Sequence, residues 1–125
     1  MISSRREFRE EAIKLLYILE CGGDYLREEI DDEVFKTIES LVEHTDEIEK
    51  ILNDSMTGWT LKRLNLVDKA ILKYSVFEMK YLDIPYQVSI NEALELTKKY
   101  SDIDGKQTPF NNKVLDKAKD LCQKN

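Results

Sequence analysis

The chain has 125 residues, a formal net charge of −6, 4 Gly and 2 Pro. That length sets one domain that buries roughly two-thirds of its unfolded surface; so few glycines and prolines exclude an all-β or disordered chain, and abundant Leu, Ile, Lys and Glu favour helix. The acidic balance argues against a generic nucleic-acid coat protein, but the charge is uneven: residues 20–58 hold 13 acidic and 3 basic side chains, whereas residues 59–81 and residues 106–125 each hold 2 acidic and 5 basic ones, so the centre and the ends can share a basic or neutral face.

Ser4 and Glu7 have the spacing of a capping box, and Phe8, Ala12, Leu15, Leu16 and Leu19 then follow helical periodicity until Cys21-Gly22-Gly23-Asp24 stops the helix. Arg5, Arg6 and Arg9 fall within about 100° of one another on it. Arg5 and Arg6 also occupy the first turn, where the macrodipole disfavours cations. That local cost points to anion binding, since guanidinium groups and helix N-termini both hold phosphate; the alternative is a solvated turn in which the arginines pair with Glu7, Glu10 and Glu11.

Residues 24–33 read as acidic loop. Val34, Phe35, Ile38 and Leu41 predict a short amphipathic helix and Ile48, Ile51 and Leu52 another, both with acidic, solvated outer faces. Asn53 to Gly58 is a linker. Trp59 and Leu61 then lead a short helical turn carrying Lys62 and Arg63, with Trp59 simplest as a core residue where helices meet.

Leu66 to Leu82 predicts the central helix, apolar round most of its circumference, with Asn65 as its cap and Lys69, Lys73 and Lys80 as a narrow polar stripe. Glu78 sits inside the apolar arc. An ionised carboxylate there has to be paired or reach the surface, which leaves two readings: a core-edge acid bonded to a neighbouring helix, or a contact point for a partner. Asp83-Ile84-Pro85 breaks the helix. The next runs from about Tyr86 to Tyr100, with Val88, Ile90, Ala93, Leu94 and Thr97 on its inner side and Ser89 and Glu92 spaced as a second capping box. After a polar loop, Thr108-Pro109 has the form of a helix start, N-cap followed by proline, and Val114, Leu115, Ala118, Leu121 and Cys122 make the last apolar face.

The motifs of enzymes are absent: no phosphate-binding glycine loop, H-E-x-x-H or G-x-S-x-G occurs. One His and two distant Cys provide neither a nucleophile–base pair nor a metal-ligand set, so no catalytic residue, metal or cofactor is expected. No apolar run approaches the ~20 residues of a membrane span, and no signal peptide is visible; the expectation is a cytoplasmic protein with reduced thiols and no membrane partner.

Three segments in order resemble the NusB family of transcription antitermination factors. RREFREEAIKLLY, from Arg5 to Tyr17, resembles its arginine-rich opening helix; VDKAILKYSVFEMKYLDIPYQVSINEALELTKKY, from Val67 to Tyr100, is the strongest match, with Phe77-Glu78, Asp-Ile-Pro and Ser-Ile-Asn-Glu-Ala in sequence; and PFNNKVLDKA resembles its Phe-Val-Asn-Gly-Val-Leu-Asp segment. The resemblance implies an all-α fold of six to seven helices in two small bundles, without catalysis. It implies binding of the boxA element of nascent ribosomal RNA transcripts together with NusE, a small-subunit ribosomal protein, and help in loading the antitermination complex on RNA polymerase, with the transcription elongation complex as a partner. It assigns Arg5, Arg6 and Arg9 to RNA, places Phe110 and Asn112 at the RNA surface with Lys106 and Lys113 beside them, and places Tyr74, Phe77 and Glu78 near the NusE interface. The chain departs from the pattern at Pro109, where the family has a basic residue, at Asn111-Asn112-Lys113 and at Phe8. These departures leave room for a rival: a protein-only helical adaptor or homodimer with little RNA binding.

Overall fold

The computed structural model describes residues 2–123. Six α-helices, α1 (Arg5–Cys21), α2 (Asp32–Glu43), α3 (Thr45–Asp54), α4 (Leu66–Tyr81), α5 (Tyr86–Tyr100) and α6 (Gln107–Cys122), are joined with two 3₁₀ turns at Arg27–Glu29 and Leu61–Arg63. There is no strand among the described residues. The molecule is all-α, as expected.

Helix α4 is the hub. It packs against α1, α3, α5 and α6, while α2 lies on α1 and α6 on α5. Its apolar circumference explains this: Ala70, Ile71, Leu72 and Val76 have no exposed surface, and the hydrophobic cluster around them takes side chains from all six helices. A side chain buried from water on a central helix contributes on the order of 1.5–3 kcal/mol, so a helix apolar on every side is stable only with neighbours on every side.

The local signals act largely as read. Ser4 Oγ accepts the Glu7 N–H at 3.1 Å, although the Glu7 carboxylate reaches back to the Ser3 N–H at 2.8 Å rather than to Ser4. Gly22 takes φ 71° at the end of α1, a conformation cheap only for glycine. Asp83, at φ 55°, turns the chain out of α4, and aspartate tolerates that region better than most residues. The end of α1 is fixed to the core through Lys73, which is buried and paired with both Glu20 and Glu49. The predicted lysine stripe is therefore interrupted, because one of its three members faces inward to two carboxylates.

Four further expectations are corrected. Trp59 is 39% exposed rather than core. Val88, in the first turn of α5, is 45% exposed. Ser89 and Glu92 do not cap α5: Pro85 is the N-cap residue and both side chains are engaged in tertiary contacts. The start of α6 lies two residues early, at Gln107, because the Asp102 carboxylate in the preceding loop accepts the N–H groups of Gln107 and Thr108 at 3.2 and 3.1 Å. An acid from the loop thus replaces the predicted Thr108 cap, and the Thr108 hydroxyl, with those N–H groups, holds the Asp102 carboxyl below its usual range.

Candidate nucleic-acid interface

The three arginines of α1 separate into three environments. Arg5 is exposed, its guanidinium 4.9 Å from the Phe8 ring centre, and it has no ion pair among the described residues. Arg6 projects to α5 and forms a two-point bridge to Glu92, Nε to Oε1 at 2.9 Å and Nη2 to Oε2 at 2.7 Å. That geometry raises the Arg6 pKa and lowers that of the Glu92 carboxyl, chiefly through the hydrogen bond each makes with the other.

Arg9 is 5% exposed. Its Nε donates to Glu78 Oε2 at 2.8 Å, and its Nη1 lies 3.9 Å from Glu92. Ser89 Oγ donates to the other Glu78 oxygen at 2.9 Å and stands 2.9 Å from Ser75 Oγ. One buried charge pair and two hydroxyls thus bind α1, α4 and α5 together. The expected RNA residue Arg9 is thus enclosed by protein, unlike Arg5 and Arg6, and matched by a carboxylate. Burial pushes the Glu78 carboxyl above its usual range, against the pull of Arg9 and Ser89.

The expected partner contacts move inward in the same way. Tyr74, Phe77 and Glu78 are each 1% exposed, because they lie on the arc of α4 that α1 and its neighbours cover. Glu78 is bonded to a neighbouring helix, as the first of its two readings has it.

Lys106, just before α6, and Asn112 and Lys113 on it are exposed, and Phe110 is half-buried against the core. Their placement comes from Asn111, which is fully buried. Its Nδ2 donates to Asp68 Oδ1 and Thr97 Oγ1, both at 3.1 Å, and Ser101 Oγ adds a 2.7 Å bond to the same Asp68 oxygen. This network fixes the α5–α6 loop against the start of α4 and leaves Asn112 and Lys113 outside. Phe110 and Lys113 line one wall of a groove whose other wall is Ser55, Met56 and Thr57.

Sequence reasoning missed Glu92, Asp68 and Asn111 as organising residues. An Asp and an Asn within apolar helical segments are the available signal, since both are poor helix formers that need a partner when buried; Glu92 carries none, because its partner is 86 residues away. Among the described residues no helix is long and apolar enough to cross a membrane, and no group of three or more His, Cys, Asp or Glu is placed to hold a metal ion.

Comparison with known proteins gives a consistent result. The NusB family model matches residues 5–120. The transcription antitermination protein NusB of Geobacillus kaustophilus is 38% identical, covering 96% of this chain and 98% of the relative. That of Thermodesulfovibrio yellowstonii is 36% identical over 94% of each. Among solved structures, T. maritima NusB superposes with a TM-score of 0.82 at 26% identity, covering 96% of this chain and 93% of the other. A chain from the crystal structure of a plectonemic RNA supercoil gives 0.80 at 26% identity over 94% of each. A family match over almost the whole length, with relatives more than a third identical end to end, establishes that the chain belongs to the NusB family of non-enzymatic transcription antitermination proteins.

Proposed function

We propose that the chain binds boxA-type single-stranded RNA of nascent ribosomal RNA transcripts in the cytoplasm, does so jointly with NusE, and helps load the antitermination complex on the elongating polymerase. The observation that carries this reading is the first turn of α1, where Arg5 and Arg6 are exposed at the positive end of a helix dipole and, among the described residues, only Arg6 has a carboxylate partner. Cations are unfavourable there unless an anion arrives. The basic α6 residues Lys106 and Lys113, with Asn112 and the Phe110 ring, supply a second phosphate and base contact. A related chain solved with RNA supports the same partner class. The test is a titration of labelled boxA-type RNA and a scrambled control, with and without NusE. Binding that prefers boxA and tightens with NusE is expected. A tight dimer by sedimentation that leaves both RNAs free would establish the protein-only homodimer instead.

The two exposed arginines are not equivalent in this reading. Charge-assisted contacts contribute upwards of about 1.5 kcal/mol each, so Arg5→Ala is expected to weaken RNA binding by at least about tenfold. Arg6 has to leave Glu92 first, and an exposed ion pair is worth up to about 1 kcal/mol. Arg6→Ala therefore costs only about twofold, and Glu92→Gln, which removes the competitor, tightens binding by up to about fivefold. Each arginine removed lowers the salt slope by about one. Anisotropy titrations at several salt concentrations measure all three variants; equal losses for Arg5→Ala and Arg6→Ala would show that Glu92 does not compete.

A further inference from the structure

Trp59 is the chain's only tryptophan, and it is not used where a tryptophan is most useful, in the core. The turn that carries it is nevertheless fixed. Leu61, two residues on, is buried, its N–H donates to Asn53 Oδ1 at 2.8 Å, and the Arg63 N–H closes the turn on the Thr60 carbonyl at 3.0 Å. A rigid support therefore presents the indole with 39% of the residue exposed. The Arg63 guanidinium lies 3.9 Å from the centre of the ring. Neither Arg63 nor the adjacent exposed Lys62 has a carboxylate within ion-pair distance among the described residues. An anchored aromatic beside two unmatched cations is what a base and its phosphates require: the ring offers a π-face that every nucleobase can stack on, and the cations neutralise the backbone.

Position adds a second argument. The residues just before Trp59, Ser55 to Thr57, form one wall of the groove of about 460 Å³ whose opposite wall holds Phe110, Lys113 and Lys117. Asp116 and Asp120 also line this groove, the former paired with Lys119 at 2.6 Å. The groove runs from the α6 cations to Thr57, two residues before Trp59 in the chain.

We propose that Trp59, Lys62 and Arg63 form an additional single-stranded RNA contact, continuous with the α6 groove, in which a base stacks on the indole and the two cations meet the flanking phosphates. It deepens the RNA-binding reading and rests on it. The contact extends the bound strand beyond Phe110 and Lys113, and the stacking is tolerant of sequence.

The single tryptophan makes the test direct. Labelled boxA-type RNA is titrated into the full chain while RNA anisotropy and intrinsic tryptophan fluorescence are followed together. The expected result is quenching of Trp59 that saturates with the anisotropy signal. Trp59→Ala weakens binding by about five- to a hundredfold, Trp59→Phe retains part of the affinity, and Lys62→Ala with Arg63→Ala, which leaves the packing of Leu61 intact, lowers the salt slope by about two. Saturating anisotropy with unchanged tryptophan emission, and wild-type affinity in Trp59→Ala and in the double variant, would overturn the contact while leaving RNA binding in place. No anisotropy change with the wild-type chain would overturn both.

Discussion

Arg9→Ala is expected to lower the unfolding free energy by about 3–5 kcal/mol, because it leaves the buried Glu78 carboxylate without its cation. The pair is enclosed, with Arg9 donating to Glu78 at 2.8 Å, and removal of one partner of a buried pair costs far more than the pair contributes. Glu78→Ala strands Arg9 in the same way, although Glu92 at 3.9 Å softens the loss. Replacing both Arg9 and Glu78 with apolar residues of similar volume recovers most of the stability, because the cost of desolvating two charges disappears with them. Urea unfolding followed by circular dichroism gives all four values. The pH dependence carries a sign that identifies the group. Burial places the folded-state Glu78 pKa above its unfolded value. Its contribution is therefore complete below the unfolded carboxyl pKa and is lost as pH rises through the folded one. Glu78→Gln, neutral at every pH, abolishes that segment of the stability profile. An unchanged profile in Glu78→Gln would show that the carboxyl is not raised.

The same pair explains what was and was not legible in the sequence. Helices α1, α4, α5 and α6 follow from periodicity and breakers, because amphipathic spacing and Gly or Pro act over a few residues. The 3.6-residue period also marked Glu78 as misplaced. It could not say which cation answered it, since Arg9 is 69 residues away and looks in sequence like a third member of an exposed cluster. A helical wheel that puts Arg5, Arg6 and Arg9 within one arc does not distinguish the solvent edge of that arc from the side that α4 covers. Trp59 and Val88 fail for a related reason: an apolar side chain next to a helix end is buried only if a neighbouring element reaches that far, and none does. The cap of α6 failed because a loop acid outcompeted the local Thr108 signal, a contact spanning six residues that no capping pattern includes.

Phe77 and Tyr74, three residues apart on α4, are expected to respond oppositely to a change of one side chain, and the contrast separates packing from partner contact. Phe77 is packed among His44, Tyr74 and Tyr81, with ring centres 6.5, 6.5 and 5.5 Å away. Phe77→Ala removes the ring from a closed site, so the lost transfer energy and the cavity together cost about 3–5 kcal/mol. Tyr74 is equally buried, but its hydroxyl has no hydrogen-bond partner among the described residues, and burial pushes its pKa up. Tyr74→Phe deletes only that unsatisfied group and keeps the ring, so stability is unchanged or rises by about 1 kcal/mol. Both outcomes are read by chemical unfolding. If these residues touched a protein partner through their own side chains, Tyr74→Phe would weaken NusE binding at constant stability. The packing account requires that Tyr74→Phe bind as wild type, and that any loss in Phe77→Ala follow the unfolded fraction and be recovered by a stabilising osmolyte. Loss of NusE binding by a fully folded Phe77→Ala protein would return this face of α4 to the interface.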